Sequence, residues 1–488
     1  MRWICLPLLA AAAATCAPVD RETLNGKLIL GYRGWFACPG DGGPSNGWVH
    51  WFARNSAGAA ATTLQAAASK IGLPVEPPFV SLNADGCRFP TESRGRTSEH
   101  ARPRSPRPYR APSARAILYR MTSRERVRAA LKKQPVDRVP IFMWFHPRTA
   151  RKLAAMLEVP PARVPEAMGN DVRQTWVNNN YAMEGIVHEA DGEWHEDWWG
   201  IRWVKQYGFN QIERFPLAGA PREQVLAYRF PMERFEELLG LMLPVVRELG
   251  DCWLGCDVSP CVFEMYWRLR GMEEAMLDIG GDPELADEMF ARCADFSIAL
   301  GEAACERYPL DWYWTGDDVG GQRGMMLSPR AWRALVKPHL ARVFQVGRKR
   351  GLPVAYHCCG ALRPIIGDLI EIGLDVLNPV QCNCPGMDAL ELKREFGSRI
   401  AFMGGVDTQS LLPNGTSAEV RRATRQLLDG MTADGGGYIL AASHTISPET
   451  SDENIFAMYE VAGITRQEIH DRAASIRATV RLTTAGNR

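Results

Sequence analysis

Short apolar segments alternate with amphipathic stretches along the chain from about residue 138. Eight of the apolar segments have the length and composition of buried strands. They are Val139–Trp144, Arg173–Val177, Cys252–Cys256, Trp312–Thr315, Pro353–Tyr356, Val376–Leu377, Ile400–Met403 and Tyr438–Ala441. Strands separated by helices in this number are typical of a (β/α)8 TIM barrel, so the sequence predicts an α/β fold of that class.

The stretches between the strands carry helix signals. Pro329–Arg350 follows an N-capping Ser328 and has proline at its first position, where proline is favoured. Leu362–Ile372 is closed by Gly373, a typical helix end. The Trp-rich segment Trp194–Trp203 predicts a β-hairpin that lies over one face of the barrel.

Polar and reactive side chains follow most of the predicted strands. They are Asn178, Asn179, Asp257, Asp317, Asp318, His357, Cys359, Asn378, Gln381, Asp407 and His444. The carboxyl ends of the strands form the active-site face of a TIM barrel. These side chains therefore predict a polar mouth above a packed core.

The segment His357-Cys358-Cys359 predicts half of a metal site. Alternate residues of a strand point to the same face, so His357 and Cys359 can present an imidazole and a thiolate together. His444, which follows another strand, can supply a third ligand, and three protein ligands leave one position open, as in catalytic zinc sites. Cysteine and histidine are also often buried without a metal, so the spacing alone leaves both interpretations open.

The amino-acid composition restricts the classes of function that the chain could have. The 488 residues carry 57 Lys and Arg against 56 Asp and Glu, a net charge of +1, which gives no global case for binding nucleic acid or an anionic membrane. The 13 cysteines show no regular disulfide spacing, which favours reduced thiols in a cytoplasmic enzyme. No apolar run reaches the length of a membrane span.

The first 120 residues differ from the rest. Residues 1–20 resemble a secretory signal, which leaves secretion open. Residues 21–90 contain Gly31-Tyr32-Arg33-Gly34-Trp35-Phe36, similar to the opening strand of endo-α-mannosidase-like glycosidase barrels, and are interpreted as a remnant of such a barrel. Residues 91–120 are rich in Arg and Pro and predict a disordered linker, with a basic nucleic-acid-binding tail as the alternative.

Met121 is interpreted as the start of the functional protein. The helix signal of Thr122-Ser123-Arg124-Glu125-Arg126 begins there. We therefore expect a barrel domain over residues 121–465, followed by a C-terminal helix and tail over residues 466–488.

Several motifs from Met121 onwards resemble the uroporphyrinogen decarboxylase superfamily. They are Thr122-Ser123-Arg124-Glu125-Arg126, Asp137-Arg138-Val139-Pro140, Gly316-Asp317-Asp318, Ser328-Pro329, His357-Cys358-Cys359-Gly360, Asp375-Val376-Leu377-Asn378-Pro379-Val380-Gln381, Gly404-Gly405-Val406-Asp407-Thr408 and Ser443-His444. That superfamily also holds zinc-dependent methylcobamide:thiol methyltransferases. The resemblance implies a TIM barrel enzyme with one of these two chemistries.

The residues favour the methyltransferase branch. Decarboxylases of this superfamily carry clustered arginines after the first strand and an aspartate after the second, whereas this chain keeps only Arg148 and has Asn178-Asn179-Asn180. A substrate with many carboxylates needs cationic partners. The methyltransferase branch uses His-x-Cys and a cysteine after the last strand as zinc ligands. In this chain His444 stands where that final cysteine would be. The decarboxylase branch also has a histidine after its last strand.

The resemblance implies a set of roles. Zn2+ held by His357, Cys359 and His444 would activate a thiol for methyl transfer from a methyl-corrinoid. Candidate catalytic or orienting groups are Asp317, Asp318 and Asp407, for which capping of backbone amides is the equal alternative. Candidate substrate-binding residues are Asn178, Asn179, Arg148, Asn378 and Gln381.

Partners follow from the same reasoning. We expect a small-molecule substrate and, because no Asp-x-His-x-x-Gly corrinoid motif occurs in the chain, a separate corrinoid carrier protein. A homodimer is compatible with the sequence, which does not define the oligomeric state. Two alternatives stay open: decarboxylation of uroporphyrinogen or another tetrapyrrole-like carboxylate in porphyrin biosynthesis, and corrinoid binding without turnover.

Overall fold

The computed structural model describes residues 120–178, 188, 190–206 and 209–486, and two short strands before them. These two strands, β1 (Phe36–Ala37) and β2 (Val49–His50), pair antiparallel. The signal-like segment, the linker and most of the glycosidase-like segment lie outside the described residues. So does Asn179.

A curled sheet of seven parallel strands forms the centre of the fold. The strands, in their order across the sheet, are β12 (Tyr438–Ala442), β11 (Ala401–Val406), β10 (Val376–Val380), β9 (Val354–His357), β8 (Tyr313–Gly316), β7 (Trp253–Asp257) and β3 (Val172–Trp176). Neighbours in this sheet are also consecutive strands of this sheet along the chain, including β3 and β7. The result is a barrel-like α/β fold with all strand carboxyl ends on one face.

The first predicted strand, Val139–Trp144, is present only as isolated pairing. Ile141 and Phe145 bridge Leu440 and Ile446 in parallel, next to β12. On the other side, the backbone N–H of Asp171 donates to the Ile141 carbonyl at 2.8 Å. The Ile141 N–H is taken by the Asp171 carboxylate at 2.8 Å, so a regular strand ladder does not form there. The segment lies between the two edge strands without becoming an eighth strand.

Helices cover the outside of the sheet. They are Ser123–Leu131, Pro147–Leu157, Val164–Met168, Arg222–Leu226, Phe235–Gly240, Leu243–Arg247, Phe263–Arg270, Met272–Gly281, Pro283–Arg307, Pro329–Ala331, Lys337–Arg348, Arg363–Glu371, Ala389–Phe396, Leu411–Asn414, Ser417–Met431, Asp452–Val461 and Arg466–Gly486. The predicted single helix over residues 329–350 is interrupted by a π-helical turn, Trp332–Val336. No helix in the described ranges is long and apolar enough to cross a bilayer.

Alternate residues of the strands belong to two separate cores. One core packs between the sheet and the helices and includes Tyr313 and Tyr356. The other joins inward residues of most strands and includes Trp253, Trp312 and Trp314. This alternation is what the two-residue period of a strand requires when both faces are buried.

A three-stranded antiparallel sheet follows β3. It consists of β4 (Trp194–Glu196), β5 (Arg202–Gln206) and β6 (Phe209–Arg214). The predicted Trp-rich hairpin corresponds to β4 and β5, and β6 extends it. The turn between β4 and β5 is closed by Asp197, whose carboxylate accepts the backbone N–H groups of Trp199 and Ile201, each at 2.9 Å.

Candidate metal centre

Three metal-ligating side chains converge at the carboxyl ends of the strands. Ligand atoms of His357, Cys359 and His444 all lie within 4.8 Å of one another. Cys359 Sγ is 3.4 Å from His357 Nε2, and the His357 and His444 ring centroids are 6.0 Å apart. Two imidazoles and one thiol are donors that zinc accepts, and three of them leave a fourth position for a substrate.

Strand ends and a tight loop place these groups. β9 ends at His357, so Cys359 lies two residues beyond the strand, and the alternation of strand residues expected from the sequence does not set its direction. The chain then turns at Gly360 (φ +83°), where a Cβ would come within 2.7 Å of the Gly320–Gly321 backbone. His444 follows β12 by two residues.

Asn378 on β10 fixes the orientation of His357. Its side-chain oxygen lies 2.7 Å from His357 Nδ1. An amide oxygen only accepts hydrogen bonds, so this contact holds the proton on Nδ1 and leaves the Nε2 lone pair facing Cys359. The imidazole is therefore presented in the form that a metal needs.

Two side chains hold the loop that carries Cys359. The backbone N–H of Cys359 donates to Asp318 Oδ1 at 2.8 Å, and that of Gly360 donates to Gln381 Oε1 at 2.8 Å. Two residues chosen from the sequence, Asp318 as catalytic and Gln381 as substrate-binding, thus contact the backbone next to the candidate metal ligand.

The environment keeps Cys359 and His444 uncharged in the absence of a cation. Burial, reinforced by the Asp318 carboxylate, raises the pKa of the Cys359 thiol well above its usual value. Surrounding protein atoms and the neighbouring His357 lower the pKa of His444 to about 4, although part of the residue is open to solvent at the mouth. A neutral imidazole binds metal directly, whereas the Cys359 proton must leave when a metal binds.

Comparison with known proteins finds a family that is similar to the part of the chain carrying this site. Residues 258–463, which include all three candidate ligands, match the family model "Uroporphyrinogen decarboxylase (URO-D)". Uroporphyrinogen decarboxylase of Thermus thermophilus is 33% identical over 183 residues, 36% of this chain and 47% of the relative. This part of the chain is thus similar to the uroporphyrinogen decarboxylase family.

Two further matches cover more of the chain. Uroporphyrinogen decarboxylase of Nocardia farcinica is 26% identical over 262 residues, 50% of this chain and 70% of the relative. A methyltransferase from Methanosarcina mazei superposes with a TM-score of 0.51 at 19% identity, over 70% of this chain and 98% of its own. The latter shows a shared fold. The chain spans about half the length of the Thermus relatives that it matches.

The superfamily motifs near Met121 lie away from the mouth. Asp171, which precedes β3, accepts hydrogen bonds from Arg126 and Arg138, each at 2.6 Å, and Arg126 also binds Asp137. Asp171 is fully buried, and this ion cluster lies at the amino end of the strand. In a TIM barrel that face serves stability and not catalysis.

Two of the other aspartates chosen from the sequence contact the backbone of neighbouring helices. The carboxylate of Asp317 accepts the N–H groups of residues 262, 263 and 264, at the start of helix Phe263–Arg270. Burial raises the pKa of Asp317 to about 7. Asp407 accepts the N–H groups of residues 409, 410 and 411, before helix Leu411–Asn414. Both arrangements correspond to the capping alternative.

The remaining sequence candidates differ in their placement. Asp257 at the end of β7 accepts hydrogen bonds from the Ser259 N–H and hydroxyl, and burial raises its pKa to about 6. Asn178 is fully buried and donates to the Pro260 carbonyl at 3.1 Å. Arg148 is exposed on the first turn of its helix.

Sequence reasoning missed three side chains near the site. Glu264 Oε2 accepts the Asp318 N–H at 3.1 Å, and Arg268 donates to Glu264 Oε1 at 2.6 Å. The Trp144 ring lies 5.5 Å from the His357 ring and 6.5 Å from the His444 ring. The i,i+4 spacing of Glu264 and Arg268 could have indicated an ion pair, but nothing local indicates that Glu264 contacts Asp318 beside the candidate metal centre.

Proposed function

We propose that this protein is a zinc-dependent methyltransferase that transfers a methyl group from a corrinoid to a thiol. The observation that carries the proposal is the convergence of His357, Cys359 and His444 within 4.8 Å at the mouth of the barrel. Bound zinc would supply Lewis acidity, because a thiol that coordinates zinc loses its proton. The methyl donor would be a methyl-corrinoid on a separate carrier protein.

The chain's own residues would prepare this site. Asn378 keeps the proton on His357 Nδ1 and directs Nε2 into the site. Asp318 and Gln381 hold the backbone that follows β9, so the Cys359 sulfur stays 3.4 Å from that nitrogen. Trp144 lies beside both imidazoles and would limit access of water on that side.

Metal content tests the proposal. The full-length protein would be purified, loaded with zinc and dialysed, in parallel with His357→Ala, Cys359→Ala and His444→Ala variants. We expect about one zinc per wild-type chain and loss of that zinc in the three variants. Cys358→Ala is a matched control, since Cys358 is also buried but its thiol donates to the Cys359 carbonyl at 3.4 Å.

Two results would contradict the metal site. One is a folded wild-type protein that retains no zinc. The other is a Cys358→Ala variant that loses as much zinc as Cys359→Ala. The reaction itself is tested by incubating zinc-loaded protein with methylcobalamin and a thiol and by measuring the methyl thioether by mass spectrometry. The Cys359→Ala variant should form none above the rate without protein.

Decarboxylation of uroporphyrinogen is the second candidate. It is favoured by the sequence relatives, which are named uroporphyrinogen decarboxylases, and by a histidine after the last strand. Under this alternative His444 would act as a neutral side chain without metal. Release of CO2 from uroporphyrinogen by chelator-treated protein would support it, and zinc-dependent thioether formation would not be expected.

A further inference from the structure

Glu264 is a buried carboxylate with a hydrogen-bond donor on each oxygen. It is the second residue of helix Phe263–Arg270 and is 8% exposed. Arg268 donates to Oε1 at 2.6 Å, and the backbone N–H of Asp318 donates to Oε2 at 3.1 Å. A buried carboxylate is tolerated when it is paired with a cation and hydrogen-bonded, and Arg268 meets that need. The bond from Asp318 is an additional contact, which joins the helix to the loop after β8.

The peptide group between Asp317 and Asp318 is held at both of its polar atoms. Its N–H donates to Glu264, and its oxygen, which is the carbonyl oxygen of Asp317, accepts the hydroxyl of Tyr356 at 2.8 Å. Tyr356 lies on β9 and is fully buried. Because a peptide group is planar, hydrogen bonds on its two opposite sides fix its rotation. That rotation in turn sets the direction in which the Asp318 side chain leaves the backbone.

The loop that begins at Asp318 packs against the loop that carries Cys359. Asp318 Oδ1 accepts the Cys359 N–H at 2.8 Å. Gly320 leaves no room for a Cβ beside the Cys359 carbonyl oxygen, and the Gly321 carbonyl accepts the Ala361 N–H at 2.9 Å. Since Cys359 lies beyond the end of β9, contacts between loops and not strand pairing set its position.

Glu264 also has an ordinary structural role. An acidic residue in the first turn stabilises a helix through the helix dipole, and an i,i+4 ion pair with Arg268 adds to this. Neither effect needs the bond from Asp318. The observation that goes beyond them is that Glu264 and Tyr356, from two different elements, hold the same peptide group.

We infer that Glu264 is a positioning residue of the candidate metal centre. It holds the peptide group that directs Asp318, and Asp318 holds the Cys359 backbone, so that the Cys359 sulfur stays 3.4 Å from His357 Nε2. Partners that orient a metal ligand usually contribute about 10- to 100-fold to metal affinity. The consequence for zinc rests on the proposed function, whereas the position of the Cys359 backbone does not depend on a metal.

The first experiment leaves zinc out and follows the Cys359 amide itself. Hydrogen exchange is measured at single-amide resolution in chelator-treated full-length protein. In Glu264→Ala we expect the Cys359 N–H to exchange about 5- to 10-fold faster, which is the effect of weakening one hydrogen bond. Exchange of the Cys358 N–H, which donates to the Asn378 carbonyl at 2.8 Å, should remain that of wild type.

Matched variants separate positioning from a general loss of stability. Asp278→Ala removes a buried carboxylate whose donors, Arg270 and Tyr266, belong to the same helix as Glu264, and it should leave the Cys359 exchange unchanged. Tyr356→Phe removes only the hydroxyl that holds the shared peptide group and should accelerate the exchange. Tyr313→Phe removes a buried hydroxyl that has no hydrogen-bond partner among the described residues, and it should not.

The second experiment measures zinc affinity by competition with a chromophoric chelator. We expect Glu264→Ala to bind zinc about tenfold more weakly than wild type, and Asp278→Ala to equal wild type. Faster exchange at Cys359 with unchanged zinc affinity would overturn the inference, because the loop position would then not serve the metal centre.

Three exchange results bear on the inference whether or not zinc binds. Equal exchange at Cys359 in Glu264→Ala and wild type would overturn it, and so would an equal acceleration in Asp278→Ala. If Glu264→Ala does not fold, the tyrosine pair decides, and equal exchange in Tyr356→Phe and Tyr313→Phe overturns it. If wild type retains no zinc while the exchange is faster in Glu264→Ala alone, the proposed function fails and the positioning of Cys359 stands.

Discussion

The amide oxygen of Asn378 lies 2.7 Å from Nδ1 of His357, so the middle residue of β10 sets the proton position on the last residue of β9. Partners of this kind usually contribute substantially to metal affinity. The Asn378–His357 contact therefore provides a test of the metal centre that leaves all three candidate ligands in place.

We expect Asn378→Ala to weaken zinc binding by about 10- to 100-fold, because His357 loses the acceptor that fixes its orientation. The affinity is measured by competition with a chromophoric chelator. Asn383→Ala serves as the control, since Asn383 lies on the loop after β10 and is exposed, with its amide bonded to Gln409. Equal zinc affinity of the Asn378→Ala variant and the wild type would show that the contact does not serve a metal ligand.

Replacing His444 by cysteine tests the donor set. The variant His444→Cys would have one imidazole and two thiolates, a combination that zinc and cobalt also accept. After substitution with Co2+, we expect the thiolate-to-cobalt absorption to be roughly double that of wild type, because two sulfurs bind in place of one. The Cys359→Ala variant should lack this absorption. An unchanged spectrum in His444→Cys would place residue 444 outside the metal centre.

Asp317 should matter for stability and not for zinc. Its carboxylate is fully buried and accepts three backbone N–H groups at the start of helix Phe263–Arg270. Asp317→Ala leaves those donors without an acceptor, which we expect to lower the free energy of unfolding by about 1–3 kcal/mol. Urea unfolding measures this change, and the zinc content should stay that of wild type. Loss of zinc from a variant of unchanged stability would instead assign Asp317 to the metal centre.

The strands could be predicted closely because their apolar runs are short and end at polar residues. Val354–His357 and Tyr438–Ala442 differ from the predicted ranges by one residue at one or both ends. The sequence could not show that the first predicted strand, Val139–Trp144, forms only isolated bridges. Its apolar run predicts a strand, but the carboxylate of Asp171, distant in sequence, occupies the Ile141 N–H that a ladder would use.

The candidate ligands could also be found from the sequence, because each lies at the end of a strand or within two residues after it. The expectation that strand alternation directs Cys359 toward the site was wrong, because Cys359 lies beyond β9. Hydrogen bonds from the loop backbone to Asp318 and Gln381 fix its position instead. Arg268 and Glu264 could not be found in this way. They belong to a helix, and only the packing of that helix against the end of β3 brings Arg268 to the mouth.

The titration of Asp197 makes the stability of the fold depend on pH. This dependence can be measured independently of the candidate metal ligands. Burial raises its pKa from the ordinary 3.8 to about 7, against three hydrogen bonds that lower it. Between about pH 4 and pH 7 the folded protein therefore keeps a proton that the unfolded chain has released. The contribution of Asp197 to stability must fall as the pH rises through this window, by at most about 1.4 kcal/mol per pH unit.

The Asp197→Asn variant lacks this titration, while all other ionisable groups stay the same. We expect the stability of wild type relative to Asp197→Asn to decrease from pH 5 to pH 7 and to level off above pH 7, because Asp197 is then ionised in both states. Urea unfolding of both proteins at pH 5, 6, 7 and 8 measures the difference. A difference that is constant with pH, or that grows in favour of wild type as the pH rises, would mean that the hydrogen bonds from Trp199, Ile201 and Trp203 outweigh burial. The turn between β4 and β5 would then be held by an ionised Asp197 throughout this pH range.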